Sequence, residues 1–177
     1  MRIIEEKIKI YPDSVLRKKS IKLDTIGEKE QEFFDSMALI MEQNQGVGLA
    51  APQIGRNIQM IVASNGTDIF KIANPKIIEK KGASILEEGC LSIPGVTIKV
   101  KRAKKVIVEG LDHFSRSIKI EADGLLSHIL QHEIDHLIGK LIIDYASFRE
   151  RIRIFEILQS LKRQYACGLT KSCPPKL

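Results

Sequence analysis

The chain has 177 residues, of which 44% are apolar and 28% charged, and its net charge is +6. This apolar fraction is high enough for a core and excludes a disordered protein. The start, MRIIEEKIKI, lacks the apolar stretch of a signal peptide, and no run approaches the roughly 18 apolar residues that span a membrane. We therefore expect one cytoplasmic domain over residues 1–177.

The cysteines and the carboxyl-terminal charge bear on compartment and partners. Three cysteines, an odd number, favour thiols or ligands over disulfides in a reducing cytoplasm. From Arg149 to Leu177, seven Lys and Arg residues stand against two Glu, which places +5 of the net charge there. A basic tail can bind nucleic acid or another polyanion, but a solvated helix face is the simpler interpretation.

The first third of the chain contains one clear amphipathic helix. KIYPDSVLRKKS predicts an extended start, a Pro-Asp turn and a short helical turn. GEKEQEFFDSMALIMEQNQ predicts a helix whose apolar stripe is Phe33, Phe34, Met37, Ile40 and Met41. A glycine loop, GVGLAAPQIG, follows this helix, and IQMIVAS predicts a short apolar strand.

The middle third favours strands. NGTDIFKIANPKI is predicted as a loop, in which Asn74-Pro75 imposes an extended pair. Strands are predicted within KGASILEEG, VTIKVKRAKKVIVEG and RSIKIEA. The alternation of Lys99 and Lys101 with Ile98 and Val100 indicates that the second of these is half-exposed.

The last third is mainly helical. DGLLSHILQHEIDHLIG predicts a helix that Asp123 can cap and Gly139 can end. KLIIDY predicts a short strand, and an amphipathic helix covers about 147–165, with Ile154, Leu158 and Leu161 inward. Because the strands cluster centrally instead of alternating with helices, the pattern indicates an α+β fold.

QHEIDHLIG carries half of a metal site. His132 and His136 lie four residues apart and share a helix face, and Glu133 can take a proton from metal-bound water. His128 offers a rival pair with His132, but only the pair 132/136 encloses Glu133. We therefore expect His128 in the wall of a neighbouring pocket.

The third ligand has three candidates. A histidine at position 142, as one metalloprotease pattern requires, is excluded because that residue is Ile142. A glutamate on a later helix would be Glu156, which would make the protein an endopeptidase. Cys90, in EEGCLSIPG, is preferred because glycines let the backbone bend there and a thiolate binds borderline metals strongly. A closed structural zinc site using Cys167 or Cys173, and a hydrolase with Cys90 as nucleophile, remain alternatives.

The glycine loop does not match a dinucleotide-binding motif, because Ala51 stands where the third glycine is needed and a helix precedes it. Gly46 and Gly48 instead allow the backbone of a substrate to lie close. Gln53 supplies an amide N–H₂ suited to an oxyanion.

Taken together, three motifs resemble those of the peptide deformylase family over about 7–145. The motifs are Gly46-Val47-Gly48-Leu49-Ala50-Ala51-Pro52-Gln53, Glu88-Gly89-Cys90-Leu91-Ser92 and His132-Glu133-Ile134-Asp135-His136. The resemblance implies short antiparallel sheets packed around a central metal-binding helix, with a carboxyl-terminal helix and basic tail over about 147–177. It also implies removal of the formyl group from formyl-methionyl nascent chains.

The resemblance further implies a role for each site residue. Cys90, His132 and His136 would hold one divalent ion, typically Fe(II), with zinc, nickel or cobalt able to replace it. Glu133 would be the acid/base, and Gln53 and the Leu91 N–H would stabilise the oxyanion. We expect Glu88, paired with Arg102, and also Asp135 to orient the ligands.

A methionine side chain needs an apolar pocket beside the ion. His128 is a polar residue where related enzymes generally have an apolar one. The expected pocket and substrate-binding residues are Gly46, Val47, Gly48, Leu86, Gly89, Leu125, His128 and Ile129. We expect a monomer that meets the ribosome surface through its basic tail, with neither DNA nor a membrane as a partner.

Overall fold

The computed structural model describes residues 7–170 and contains a five-stranded antiparallel sheet, a separate two-stranded hairpin and three α-helices. The sheet has the order β1-β2-β3-β6-β7, and β4 pairs with β5. The helices are α1 (Glu28–Gln43), α2 (Gly124–Leu137) and α3 (Phe148–Thr170). The strands are β1 (Gly48–Ala50), β2 (Met60–Ser64), β3 (Ile69–Lys81), β4 (Ser84–Gly89), β5 (Thr97–Arg102), β6 (Lys105–Leu111) and β7 (Ser117–Asp123).

The large sheet is covered on both faces, which explains the continuous apolar sequence of β2. Side chains alternate between the two faces of a strand. Met60 and Val62 pack with α1, whereas Ile61 and Ala63 pack with α2. Helix α2, which carries His132 and His136, therefore lies directly against the sheet, and the predicted α+β fold with antiparallel sheets and a carboxyl-terminal helix is confirmed.

The β4–β5 hairpin has one buried face and one solvated face. Ile98, Val100 and Arg102 of β5 are buried and the residues between them are exposed, as the lysine alternation predicted. On β4, Glu88 is the only buried residue, and it pairs with Ile98 across the hairpin. The pleat thus points Glu88 and Arg102 into the protein interior, where no bulk water solvates them.

Two predicted elements are wrong. The predicted loop around Asn74-Pro75 lies within the 13-residue strand β3, where a register shift between Ala73 and Lys76 accommodates Asn74 at a φ of 50°. KLIIDY is a 3₁₀ turn over Ile142–Tyr145 because the Asp144 carboxylate accepts a hydrogen bond from the Leu141 N–H at 2.8 Å. Local propensity could not anticipate a bulge or this capping contact.

Three further expectations need correction. The predicted glycine loop contains strand β1 and a 3₁₀ turn over Ala51–Ile54. Asp123 precedes α2 but its side chain makes no capping hydrogen bond; it pairs instead with Lys105 at 2.9 Å. Among the described cysteines, Cys90 is a free thiol as expected, whereas Cys167 is disulfide-bonded, which contradicts the expectation at that position.

The carboxyl-terminal helix packs against the β4–β5 hairpin. Helix α3 starts at Phe148 and buries Ile154 and Leu161 against the hairpin, while Leu158 is half-buried. Within residues 7–170, no helix is long and apolar enough to cross a membrane. The basic residues of the predicted tail beyond 170 lie outside the described part of the chain.

Gly139 ends α2 and offers a test of this packing. Its φ is +72°, and a Cβ there would overlap the backbone of Arg17. We expect Gly139→Ala to lower the free energy of unfolding by roughly 1–3 kcal/mol more than Gly66→Ala, from the steric overlap. Gly66 is the matched control because it also has a positive φ, +96°, with nothing within 4 Å of its missing Cβ. Equal losses in a urea titration would contradict the contact.

Candidate metal centre

Three ligand atoms converge at one end of α2. The Nε2 atoms of His132 and His136 lie 3.2 Å apart, and the Cys90 Sγ lies 3.3 Å from the His136 Nε2. All three atoms are within 4.8 Å of one another. Helical spacing brings the two histidines together, whereas the cysteine arrives from a segment 46 residues away.

A tight turn delivers Cys90. The residue follows directly after β4, and its carbonyl accepts a hydrogen bond from the Ile93 N–H at 2.9 Å. Ile93 is fully buried in the cluster beneath the hairpin, and Gly95 has a φ of +78° that most side chains disfavour. The turn is therefore anchored on its core side, which leaves the sulfur directed toward α2.

The donor set fits a single divalent ion. A sulfur and two imidazole nitrogens are ligands for borderline metals, and three protein ligands leave a position for water or substrate. The His132 ring donates from its Nδ1 to the Glu88 carboxylate at 3.0 Å, which leaves its Nε2 as the ligand atom. Burial lowers the pKa of His136 well below its usual value, which favours the neutral ring that binds metals.

Glu88 and Arg102 form a buried, two-point ion pair behind this centre. The Arg102 Nε and Nη2 donate to the two carboxylate oxygens of Glu88 at 2.6 and 2.9 Å. Burial alone would raise the pKa of Glu88, but hydrogen bonds from His132 and Arg102 outweigh it and lower the pKa to about 2. Glu88 is thus an ionised acceptor that orients His132.

Asp135 is linked to Glu88 indirectly, because both carboxylates accept hydrogen bonds from Arg102. Its Oδ2 accepts hydrogen bonds from the Arg102 Nη1 at 2.8 Å and from the Tyr145 hydroxyl at 2.6 Å. Tyr145 could not be predicted as part of this network, because no local pattern marks a tyrosine in a 3₁₀ turn as a partner of α2. Asp135 therefore neutralises Arg102 instead of touching a ligand.

Glu133 is buried beside the ligands with a free oxygen. Its Oε2 has no hydrogen-bond partner among the described residues. Burial raises the pKa of Glu133 to about 7, which suits a group that exchanges protons near neutral pH. A Cβ on Gly48 would overlap the Glu133 carboxylate, so the glycine also leaves room for this side chain.

Gln53 is held so that its amide N–H₂ faces the cysteine. The Ala50 N–H donates to the Gln53 Oε1 at 2.8 Å. The Gln53 Nε2 lies 3.5 Å from the Cys90 Sγ and 3.3 Å from the Ser92 Oγ. Ser92 belongs to one of the three sequence motifs, but the motif does not indicate its role. In the structure, the Ser92 hydroxyl helps hold the Gln53 amide. The Leu91 N–H donates no hydrogen bond to any described residue.

A cavity of about 530 Å³ opens beside the ligands. This volume is typical of small-ligand sites. Glu133, Gln53 and Cys90 form part of the wall. The structure brings every residue expected in the pocket to this wall, namely Gly46, Val47, Gly48, Leu86, Gly89, Leu125, His128 and Ile129.

The alternative third ligands lie elsewhere. The Glu156 side chain is 81% exposed on α3, 4.0 Å from Arg163, and lies outside the cluster of possible ligands, so the endopeptidase hypothesis is not favoured. Cys167 is disulfide-bonded and does not offer a thiolate. Among the described residues, the metal-binding cluster consists of Cys90, His132 and His136 alone. Cys173 lies outside the described residues.

A three-ligand site next to a buried carboxylate defines the class as a metal-dependent hydrolase. A family model described as polypeptide deformylase matches residues 5–151. The chain therefore belongs to the polypeptide deformylase family. The protein is a metal-dependent hydrolase that removes the N-terminal formyl group from formyl-methionyl chains and releases formate.

Individual relatives agree with this assignment. The peptide deformylase of Thermodesulfovibrio yellowstonii is 45% identical over 152 residues, which cover 83% of this chain and 91% of the relative. That of Halothermothrix orenii is 47% identical over 134 residues, 75% and 87% of the two chains. A peptide deformylase from Legionella pneumophila, known from its crystal structure, shares 40% sequence identity with this chain. The two structures superpose with a TM-score of 0.83 over 91% of this chain and 97% of that one. A peptide deformylase of Arabidopsis thaliana in complex with an inhibitor has a TM-score of 0.86 at 32% identity, over 96% and 97%.

Gly48→Ala tests whether the glycine makes room for Glu133. We expect kcat to fall about 100-fold, because displacing a reacting group by about 1 Å costs that much. The metal content should stay at the wild-type level, because no ligand is moved. Gly46→Ala is the matched control: its Cβ would approach the flexible end of Leu91 at 2.9 Å and the Met41 carbonyl oxygen at 3.3 Å but not Glu133, so kcat should fall clearly less. Equal losses in steady-state kinetics, or loss of metal from Gly48→Ala, would contradict the interpretation.

Proposed function

We propose that Cys90, His132 and His136 hold one divalent ion and that Glu133 moves the protons in hydrolysis of the formyl amide. The observation that carries this proposal is the convergence of the three candidate ligand atoms within 4.8 Å, beside a cavity that Cys90, His132 and Glu133 line. When bound, the ion lowers the pKa of a water molecule toward neutrality and polarises the formyl carbonyl.

Glu133 serves first as a base and then as an acid. It accepts a proton from the attacking water and delivers it to the nitrogen of the leaving amine, so that the C–N bond breaks and formate departs. Its pKa of about 7, raised by burial, supports both directions of transfer near neutral pH. Its unpartnered Oε2 is available for the proton.

Gln53 and the Leu91 N–H stabilise the oxyanion. Negative charge grows on the formyl oxygen as water adds, and fixed donors lower its energy without reorganising. The Ala50 N–H and the Ser92 hydroxyl hold the Gln53 amide near Cys90, and the Leu91 N–H is unused by the described residues. One such donor is typically worth about 3–4 kcal/mol of the barrier.

The methionine side chain occupies the cavity beside the ligands. Leu86, Leu125 and Ile129 supply apolar walls from the hairpin and from α2. Gly46, Val47, Gly48 and Gly89 border the same space, where a peptide backbone can approach closely. This apolar lining favours an apolar side chain such as that of methionine.

The native ion is Fe(2+), and a single experiment tests both the metal and its ligands. We expect anaerobically purified protein to contain one iron per chain, and Cys90→Ala to contain none and to release no formate from formyl-methionyl peptides. Glu156→Ala, the control, should keep iron and activity because its side chain is exposed on α3. Elemental analysis and a formate assay provide the readouts. An active Cys90→Ala enzyme would refute the ligand set, and zinc in place of iron would refute the metal.

We also propose that the enzyme acts as a cytoplasmic monomer that touches the ribosome through its basic carboxyl-terminal segment, of which α3 is the described part. The substrate leaves the ribosome as a nascent chain, so a polyanionic surface lies nearby. Five cationic side chains on this helix are exposed, namely Arg149, Arg151, Arg153, Lys162 and Arg163. An excess of positive charge in one segment accelerates association with a surface of opposite sign.

Charge reversal tests the ribosome contact. We expect the double variant Lys162→Glu/Arg163→Glu to cosediment more weakly with ribosomes at low salt, with unchanged turnover of a short formyl peptide. Lys18→Glu/Lys19→Glu is the control, because it makes the same charge change at exposed positions distant in sequence. Equal weakening in both variants would show a general charge effect and contradict a specific contact through α3.

A further inference from the structure

His128 is buried in α2 one turn before His132, and both of its ring nitrogens are engaged. Its Nδ1 lies 3.0 Å from the Glu88 Oε1, and its Nε2 lies 2.8 Å from the Ser84 Oγ. Only 1% of its surface is exposed, although the ring borders the cavity. The pocket therefore contacts ring carbons, and the polar atoms of His128 serve a different purpose.

The direction of these hydrogen bonds follows from Glu88. The Arg102 guanidinium donates to both oxygens of this carboxylate, which is therefore ionised and can only accept. His128 must then donate from its Nδ1. In the neutral ring the Nε2 is an acceptor, and the Ser84 hydroxyl donates to it. A directed chain runs from Ser84 through His128 to Glu88.

The same carboxylate orients the ligand His132. Oε1 accepts from the Arg102 Nε and the His128 Nδ1, while Oε2 accepts from the Arg102 Nη2 and the His132 Nδ1. Four donors thus fix one carboxylate. If the donor at position 128 is removed, Oε1 keeps a single partner, the Arg102 Nε, and the carboxylate is held less firmly, which loosens its hold on the His132 ring.

We propose that Ser84 and His128 form a positioning pair that holds Glu88 and, through it, the metal-binding ring of His132, and thereby sets the metal affinity. This inference rests on the proposed role of His132 as a ligand. Partners that orient metal ligands typically contribute 10- to 100-fold to affinity. A residue that only shaped the pocket would change the KM for the peptide and leave the metal affinity unaltered.

Zinc affinity, measured by competition with a chromophoric chelator, tests the pair without relying on activity. We expect His128→Leu to bind zinc about 10-fold more weakly than wild type. His128→Asn, which keeps an N–H near the position of Nδ1, should recover most of this loss. Ser84→Ala should weaken binding by a smaller factor. The double variant should bind like His128→Leu, because members of one chain are not additive.

The control is Leu125→Ala. This residue borders the same cavity from the same helix, but the structure gives it no hydrogen bond to Glu88. It should raise the KM for formyl-methionyl peptides and keep wild-type zinc affinity. Wild-type zinc affinity in His128→Leu, or additive losses in the double variant, would overturn the pair.

Folding and the ligand set are monitored separately. Circular dichroism shows whether each variant is folded. If His128→Leu does not fold, Ser84→Ala and His128→Asn carry the test. A zinc affinity of Ser84→Ala equal to that of the wild type would then refute the chain from Ser84 to Glu88. His132→Ala should abolish zinc binding. If His132→Ala still binds zinc, the ligand assignment fails. If His132→Ala loses zinc binding but the His128 variants keep wild-type zinc affinity, only the positioning pair is refuted.

Discussion

The site depends on one buried ion pair, between Glu88 of the β4–β5 hairpin and Arg102 of the same hairpin. Both side chains are removed from water, so each would be costly alone; losing one partner of such a pair typically costs about 3–5 kcal/mol. The pair does more than neutralise itself. Glu88 accepts from two histidines of α2, and Arg102 donates to Asp135 of α2, so the hairpin that carries Cys90 is connected to the helix that carries the other ligands.

The sheet supplies the second constraint. Because β2 is buried on both faces, α1 and α2 are held on opposite sides of a rigid layer. Strand β1 pairs with β2 at Gly48, and this register places the glycine where the Glu133 carboxylate needs space. Glu133, the amide of Gln53 and the candidate metal ligands therefore belong to elements whose relative positions are determined by core packing.

Errors in the predicted elements did not disturb the site, for a physical reason. At Asn74-Pro75, a register shift allows the strand to continue where a loop was predicted. At KLIIDY, a single capping hydrogen bond stabilises a turn where a strand was predicted. The ligand chemistry instead depends on side-chain type and short-range spacing, which do not change with these differences in the backbone. The predictions for Asp123 and Cys167 were wrong for a similar reason. Asp123 forms an ion pair with Lys105, and Cys167 is disulfide-bonded, and the neighbouring residues in the sequence indicate neither state.

The sequence by itself determined that His132 and His136 share a helix face around Glu133, that β5 alternates between core and water, and that a thiol and an amide were available for a metal and an oxyanion. Helical and strand periodicity are local properties, so they can be deduced from the residues alone. Only the tertiary structure decided that the Cys90 sulfur meets those histidines across 46 residues, that Glu156 faces water, and that Ser84, His128 and Tyr145 join the network behind the ligands. Such contacts arise from the packing of distant elements, which no short window of sequence encodes.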